Sequence, residues 1–257
     1  MIFYLSDKFP AAIAMSTAST RHDIRATVSS ALKSEPRIGA VDLVDVAFAG
    51  DGSLVVEGEV GTVRAKKLAL ERIGGIPGVD LIVDRLHVRP AESMGDAEIR
   101  AHLRNAFLQE PSFAGLTVTE DAKGARQIIT SPPDPVGSLE YSVSDAIVIL
   151  NGDAPGLATK QLAGVLAWWV PGSRDVINGI AAPASDENSP QAIEEAIRIV
   201  LEKDPFVNAG QIRVGARHQV VRLTGLVSSE AERDMAENDA WYVFGVDDVI
   251  NEIDVGS

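Results

Sequence analysis

The sequence predicts an α/β chain of the α+β kind, built from three tandem copies of one helix–strand–strand–helix–strand module. Three observations carry that prediction. The runs Leu54-Val55-Val56-Glu57-Gly58, Ile147-Val148-Ile149-Leu150-Asn151-Gly152 and Val220-Val221-Arg222-Leu223-Thr224-Gly225 are each rich in β-branched residues and close on a glycine. Twenty residues after each of these stands another glycine: Gly78, Gly172 and Gly245. Each copy then ends in a second apolar run, Leu81–Val88, Val176–Ala182 and Val249–Val255. The same spacings in three copies are the signature of an internal repeat.

Residues 1–20 come first. They begin Met1-Ile2-Phe3-Tyr4-Leu5, but Asp7, Lys8 and Pro10 interrupt the run, so neither a basic start nor an unbroken apolar core of a secretory signal is present. A disordered leader is expected there. The first helix of each copy carries one apolar face: Ile24, Val28, Ala31 and Leu32; Ile99, Leu103, Ala106 and Phe107; Ile193, Ile197, Val200 and Leu201. Each of these helices meets an acid–proline pair, Glu35-Pro36, Glu110-Pro111 and Asp204-Pro205. Proline disfavours the helical region for the residue before it, so the pair reads as a stop. The second helix follows the strand glycine. In copy three it opens with Ser228-Ser229-Glu230-Ala231-Glu232, an N-cap with acidic first-turn residues, and runs to Trp241-Tyr242-Val243-Phe244. Gly78, Gly172 and Gly245 are expected to cap the second helices in the left-handed conformation.

The modules are expected at 21–89, 94–182 and 190–257, separated by the polar stretches Arg89-Pro90-Ala91-Glu92-Ser93-Met94-Gly95 and Ala182-Pro183-Ala184-Ser185-Asp186-Glu187-Asn188-Ser189. Copy two departs from the pattern. From helix-ending proline to strand glycine is 22 residues in copy one and 20 in copy three, but 41 in copy two. The excess, near 114–137, reads as an added β-hairpin or a mobile loop.

Composition narrows the function. A net charge of −14 argues against nucleic acid, whose phosphates call for clustered Lys and Arg, and against simple electrostatic docking on anionic lipid. The chain has no cysteine, which excludes disulfides and thiolate chemistry. No apolar run approaches the roughly 20 residues of a membrane helix. A soluble protein is expected, cytoplasmic, with the periplasm as the alternative. His22, His87, His102 and His218 lie at non-equivalent positions without metal-ligand spacing, and no nucleophile elbow, Walker loop or dinucleotide fingerprint occurs. Neither a catalytic site nor a metal or cofactor is expected.

Aligned, the copies share V-x-L-x-G-x-V, a helix, then G-V-x-x-V-x-N-x-I-x-V. Copy three shows it best, as Val221-Arg222-Leu223-Thr224-Gly225-Leu226-Val227 and Gly245-Val246-Asp247-Asp248-Val249-Ile250-Asn251-Glu252-Ile253-Asp254-Val255. This pattern resembles the BON domain, the bacterial osmotic-stress and nodulation module, over residues 21–257. The resemblance implies two helices on one face of a small three-stranded mixed sheet. It also implies a non-enzymatic, stress-related binding or adaptor role, on a phospholipid surface or an envelope or other partner protein. A relative that joins this module to a LysM unit senses potassium, which leaves a potassium or small-ligand sensor as one alternative and a self-associating structural module as another.

Two features are candidates for binding. Trp168 and Trp169, with Trp241, Tyr242 and Phe244, end the second helices of copies two and three, where neighbours about 100° apart cannot all face one small core. They either emerge at a membrane or partner surface or pack between modules. The strand Ile147-Val148-Ile149-Leu150 is apolar on both faces, so its outer face is expected to meet a neighbouring module, a second chain or a ligand. Asp234, Glu237, Asp239, Asp247 and Asp248 read as a solvated acidic face.

Overall fold

The computed structural model describes residues 24–39, 44–183 and 189–256. The expected leader lies outside the described residues. The chain divides into two compact units, one of residues up to 61 with 65–87, the other of residues 88–257 with 62–64.

In the first unit residues 24–33 are helical (α1), followed by a single 3-10 turn, Pro36–Ile38. Strands β1 (Val44–Phe48) and β2 (Leu54–Val60), helix α2 (Val63–Gly74) and strand β3 (Ile82–Val88) complete it. The sheet order is β1-β2-β3, with β1 antiparallel to β2. Its core is Leu54, Val56, Leu68, Ala69, Ile73 and Leu86, all almost inaccessible to solvent.

The second unit holds two modules. The first has α3 (Asp96–Gln109), a 3-10 turn (Pro111–Phe113), β4 (Leu116–Ala122), β5 (Ala125–Thr130), β6 (Gly137–Ser144), β7 (Ile147–Asp153), α4 (Leu157–Trp168) and β8 (Asp175–Asn178). The next has α5 (Pro190–Lys203), a 3-10 turn (Ala209–Gln211), β9 (Ile212–Arg217), β10 (Val220–Val227), α6 (Glu230–Tyr242) and β11 (Asp248–Val255). The last sheet is mixed: β10 lies between antiparallel β9 and parallel β11. Along β10, Val221 and Leu223 are buried while Val220, Arg222 and Leu226 face solvent. One face is therefore covered and the other open, as period-two strands allow.

The excess in copy two is a β-hairpin. Strands β4 and β5 turn through Lys123-Gly124, both at positive φ, and β4 pairs in parallel with β6. The sheet grows to five strands, β5-β4-β6-β7-β8. Leu116 and Val118 enter the core beside Ile99, Leu103, Phe107, Phe113 and Tyr141. Phe107 packs against Phe113 and Tyr141 with ring centroids 5.8 and 5.4 Å apart.

The acid–proline pair does more than stop a helix. In each copy the acid's carboxylate accepts the backbone N–H two residues on: Arg37 to Glu35 (3.3 Å), Ser112 to Glu110 (2.9 Å) and Phe206 to Asp204 (2.8 Å). The bond folds the chain back, and the third residue on, Ile38, Phe113 or Val207, is buried. The motif asparagine acts likewise. Asn178 and Asn251 donate to the Lys160 and Arg233 carbonyls of the second helix and accept the N–H of Ile180 and Ile253. In copy one Asp84 stands there, accepting the Leu86 N–H and pairing with Lys66 at 3.0 Å.

Both glycine sets differ from expectation. Gly58, Gly152 and Gly225 do not close their strands but lie inside them, opposite Val44, Leu139 and Ile212. Their φ angles are 145°, 125° and 149°, a region L side chains avoid. The second helices end three to four residues before Gly78, Gly172 and Gly245. Gly78 and Gly245 keep positive φ (90° and 83°), but in the turn leading to the last strand. Gly172 has no positive φ; a Cβ there would lie 2.6 Å from Met94 Cβ. Its glycine is required by space and not by backbone conformation. The closing strand of copy two is also shorter than expected, ending at Asn178 and rejoining the sheet only as a bridge between Asp153 and Ala181.

Candidate functional site

Among the described residues no group of three His, Asp or Glu side chains is placed to hold a metal, and no helix is long and apolar enough to cross a membrane. Two regions of the second unit carry the distinctive chemistry: the seam between its modules and the open face of its last sheet.

Four of the five aromatic residues singled out in the sequence lie at or beside the seam. Trp241 is buried, 1% exposed. Tyr242 turns the other way and stacks on Trp168 across the seam, centroids 6.0 Å apart and planes 10° from parallel. Trp169 Nε1 donates to Asp239 Oδ1 at 2.9 Å. Phe244 is 55% exposed, with Lys160 Nζ 5.7 Å from its ring. Its backbone is held by the Gln161 side chain, which accepts the Phe244 N–H (2.9 Å) and donates to its carbonyl (3.2 Å).

The polar contacts of the seam were not visible in the sequence. Lys203 Nζ reaches Glu110 at 2.8 Å, joining the end of α5 to the end of α3. Burial works against the Glu110 anion, yet Lys203 and Ser112 hold its carboxyl below the usual range. Contrary to expectation, Asp239 does not belong to a solvated acidic face, being only 3% exposed. Burial pushes its carboxyl up to about 8, against the Trp169 bond, and the Asp204 carboxylate pushes it further. Tyr242 is raised to about 12 by burial and by Asp239. Asp234 and Asp247 are exposed as expected.

The inserted hairpin is anchored by a second polar cluster. Glu120 on β4 accepts the Tyr141 hydroxyl (2.6 Å) and Arg104 Nη2 (2.7 Å), and Arg100 Nε stands 3.5 Å away. Among the described residues, the outer face of this sheet is only partly covered by the rest of the chain. Val148 and Leu150 are fully buried, Ile147 and Ile149 are half-buried, and Ile177 is 52% exposed.

On the last sheet the open face is charged asymmetrically. Arg213 and Arg217 stand on the edge strand β9, Val220, Arg222 and Leu226 on β10, and Ile250, Glu252 and Asp254 on β11. Arg222 is paired with Glu252 at 2.8 Å, whereas Arg213 and Arg217 have no ion-pair partner among the described residues. Arg217, Arg222, His218, Val220 and Ile250 line a shallow depression of about 500 Å³. Arg198 and Glu202 of α5 border another of about 480 Å³ with Arg213 at the start of β9. The basic edge is local, on a chain of net charge −14. Strand alternation alone puts Arg213 and Arg217 on one face of β9, and the β9–β10 hairpin brings Arg222 beside them.

The family model of the BON domain matches residues 20–90, 121–183 and 189–257. Among solved structures, the chain is similar to the C-terminal domain of CdsD, the structural protein of the type III secretion system of Chlamydia trachomatis. The two are 13% identical over 91% of this chain and 98% of that one, with a TM-score of 0.24. A second structure of CdsD is 14% identical over 91% and 92% of the two chains, also with a TM-score of 0.24. No curated protein matches the sequence.

Proposed function

The chain belongs to the BON domain family, and from that premise we propose that it is a non-catalytic binding protein whose last module docks on anionic phospholipid. One observation carries the reading: Arg213 and Arg217, with no ion-pair partner among the described residues, flank the exposed Val220, Leu226 and Ile250 on one open sheet face. Guanidinium groups match phosphate geometry, and short apolar side chains beside them suit the boundary between headgroups and acyl chains. The net charge of −14 opposes approach from afar. Screening over about 10 Å at 0.1 M salt leaves the local arginines to act on contact.

Co-sedimentation of the full chain with vesicles tests this. Pelleting with phosphatidylglycerol-containing vesicles, none with pure phosphatidylcholine, and loss on the double change Arg213→Ala and Arg217→Ala is the expected result. No pelleting at any composition overturns it and leaves an acidic partner protein for the same face.

A second reading, self-association, is favoured by β5. This edge strand is almost wholly exposed, carries Ile128 at 65% exposure, and its one charge, Arg126, is already paired with Glu140 at 2.9 Å. Edge β9, by contrast, is blunted by Glu194, which accepts the Ala216 N–H at 2.7 Å. Sedimentation velocity of the full chain and of Ile128→Lys separates the cases: a dimer lost in the variant supports pairing through β5, and a monomer at every concentration removes it.

A further inference from the structure

The three modules place different groups at one equivalent position, six residues before the turn glycine of the second helix. In the first module it is Arg72, whose Nη2 pairs with Glu35, the acid of the acid–proline motif, at 2.8 Å. In the second it is Leu166, and the corresponding acid, Glu110, is neutralised by Lys203. In the third it is Asp239, which faces the motif acid Asp204 with like charge. A position that in the first module supplies a cation here supplies a carboxyl group.

Asp239 is also buried at the module boundary. Its Oδ1 accepts the indole N–H of Trp169 from α4, while its buried Oδ2 has no hydrogen-bond partner among the described residues. An ionised Asp239 would leave a charged oxygen unsatisfied away from water beside a second carboxylate, which is strongly unfavourable. A protonated carboxyl keeps the Trp169 bond and removes the repulsion.

We infer that the two modules of the second unit are joined by a proton-locked seam, in which protonated Asp239 holds α6 against Trp169 of α4 and ionisation parts the helices, uncovering Trp168, Trp169 and Tyr242. The groups around it do not offset the charge. From α4, Lys160 lies over Phe244; from the end of α5, Lys203 is taken by Glu110 and Asp204 repels; from α6 itself, Tyr242 is a neutral phenol, and Glu237 accepts from Asn251.

The sign follows from the raised carboxyl. Its value in the closed seam is about 8, against an ordinary 3.8, so closure takes up a proton. The closed seam is strongest below the ordinary value, weakens as pH rises towards about 8, and is insensitive beyond it. A single linked proton changes the opening constant by up to about tenfold per pH unit inside that window.

The experiment is acrylamide quenching of tryptophan fluorescence in the full chain from pH 5 to 9.5. The quenchable fraction of the wild type should rise with pH and level off above about pH 8, as two of three tryptophans leave the seam. Asp239→Asn, which keeps an acceptor for Trp169, should show no pH dependence. Should that variant fail to fold, Asp204→Asn, which keeps the turn cap, should move the plateau to lower pH. Flat quenching in the wild type overturns the inference, as does an unchanged pH profile in both variants.

Discussion

Changing Gly225 to alanine should destabilise the last module far more than the same change at Gly215, ten residues away on the adjacent strand. A Cβ at Gly225 would stand 2.0 Å from the Gln211 carbonyl oxygen and 3.1 Å from Ile212 Cα. Both obstacles are backbone, fixed by the pairing of Gly225 with Ile212, so neither yields without opening β9 from β10. The residue also sits at φ 149°, where a side chain adds strain of about 1–3 kcal/mol. Overpacking against an immovable wall adds about 1–3 kcal/mol more. The sum, roughly 4 kcal/mol, corresponds to a fall in Tm of roughly 8–16 °C for a unit of this size. At Gly215 nothing lies within 4 Å of the added carbon, and the shift should stay within about 0.5 kcal/mol. Thermal unfolding followed by circular dichroism reads both. If Gly225→Ala melts within about 2 °C of the wild type, the steric reasoning about the in-strand glycines is wrong.

Two further outcomes follow from the polar contacts. Replacing Glu120 by Gln leaves Arg104 and Arg100 facing a neutral group, and denaturant titration at neutral pH should show a loss of about 2 kcal/mol, discounted for the partly exposed Arg104. Although burial opposes the charge, Tyr141 and the arginines hold the Glu120 carboxyl below its ordinary 4.5. Its contribution is therefore present above that value and lost as pH falls through the lower folded one. Stability of the wild type should drop more steeply than that of Glu120→Gln on acidification below pH 4.5; parallel curves would contradict the assignment. For Arg213→Ala with Arg217→Ala, about 1 kcal/mol per arginine at an anionic surface gives roughly 30-fold weaker vesicle binding, measurable by flotation.

The repeat was legible because glycine spacing and helix-face periodicity are local properties of the chain. The added hairpin was legible as surplus length, but its parallel pairing with β6 was not, since nothing in Leu116–Ala122 specifies which strand it joins. The in-strand position of Gly225 was missed because a run ending in glycine looks the same whether the strand stops or bends. The acid–proline pair was read for its proline alone; the carboxylate bond two residues on was available in principle, since all three copies keep the acid. Asp239 could not be separated from its exposed neighbours Asp234 and Asp247, because its burial depends on Trp169, 70 residues earlier. The same holds for Trp168 and Tyr242: adjacency on a helix showed that one aromatic must leave its own core, but not that the other module would receive it.

The central claim, that the open β9–β10–β11 face meets a lipid surface, has a direct test. The chain contains no cysteine, and a side chain at Gly215 meets nothing, so Gly215→Cys places a single fluorescent label between Arg213 and Arg217. Ser131→Cys, exposed beyond β5, serves as the reference. With vesicles carrying phosphatidylglycerol and a lipid-borne quencher, the label at 215 should be quenched and the label at 131 should not. Equal quenching at both sites, or none at 215 when the protein is bound, would contradict docking through this face.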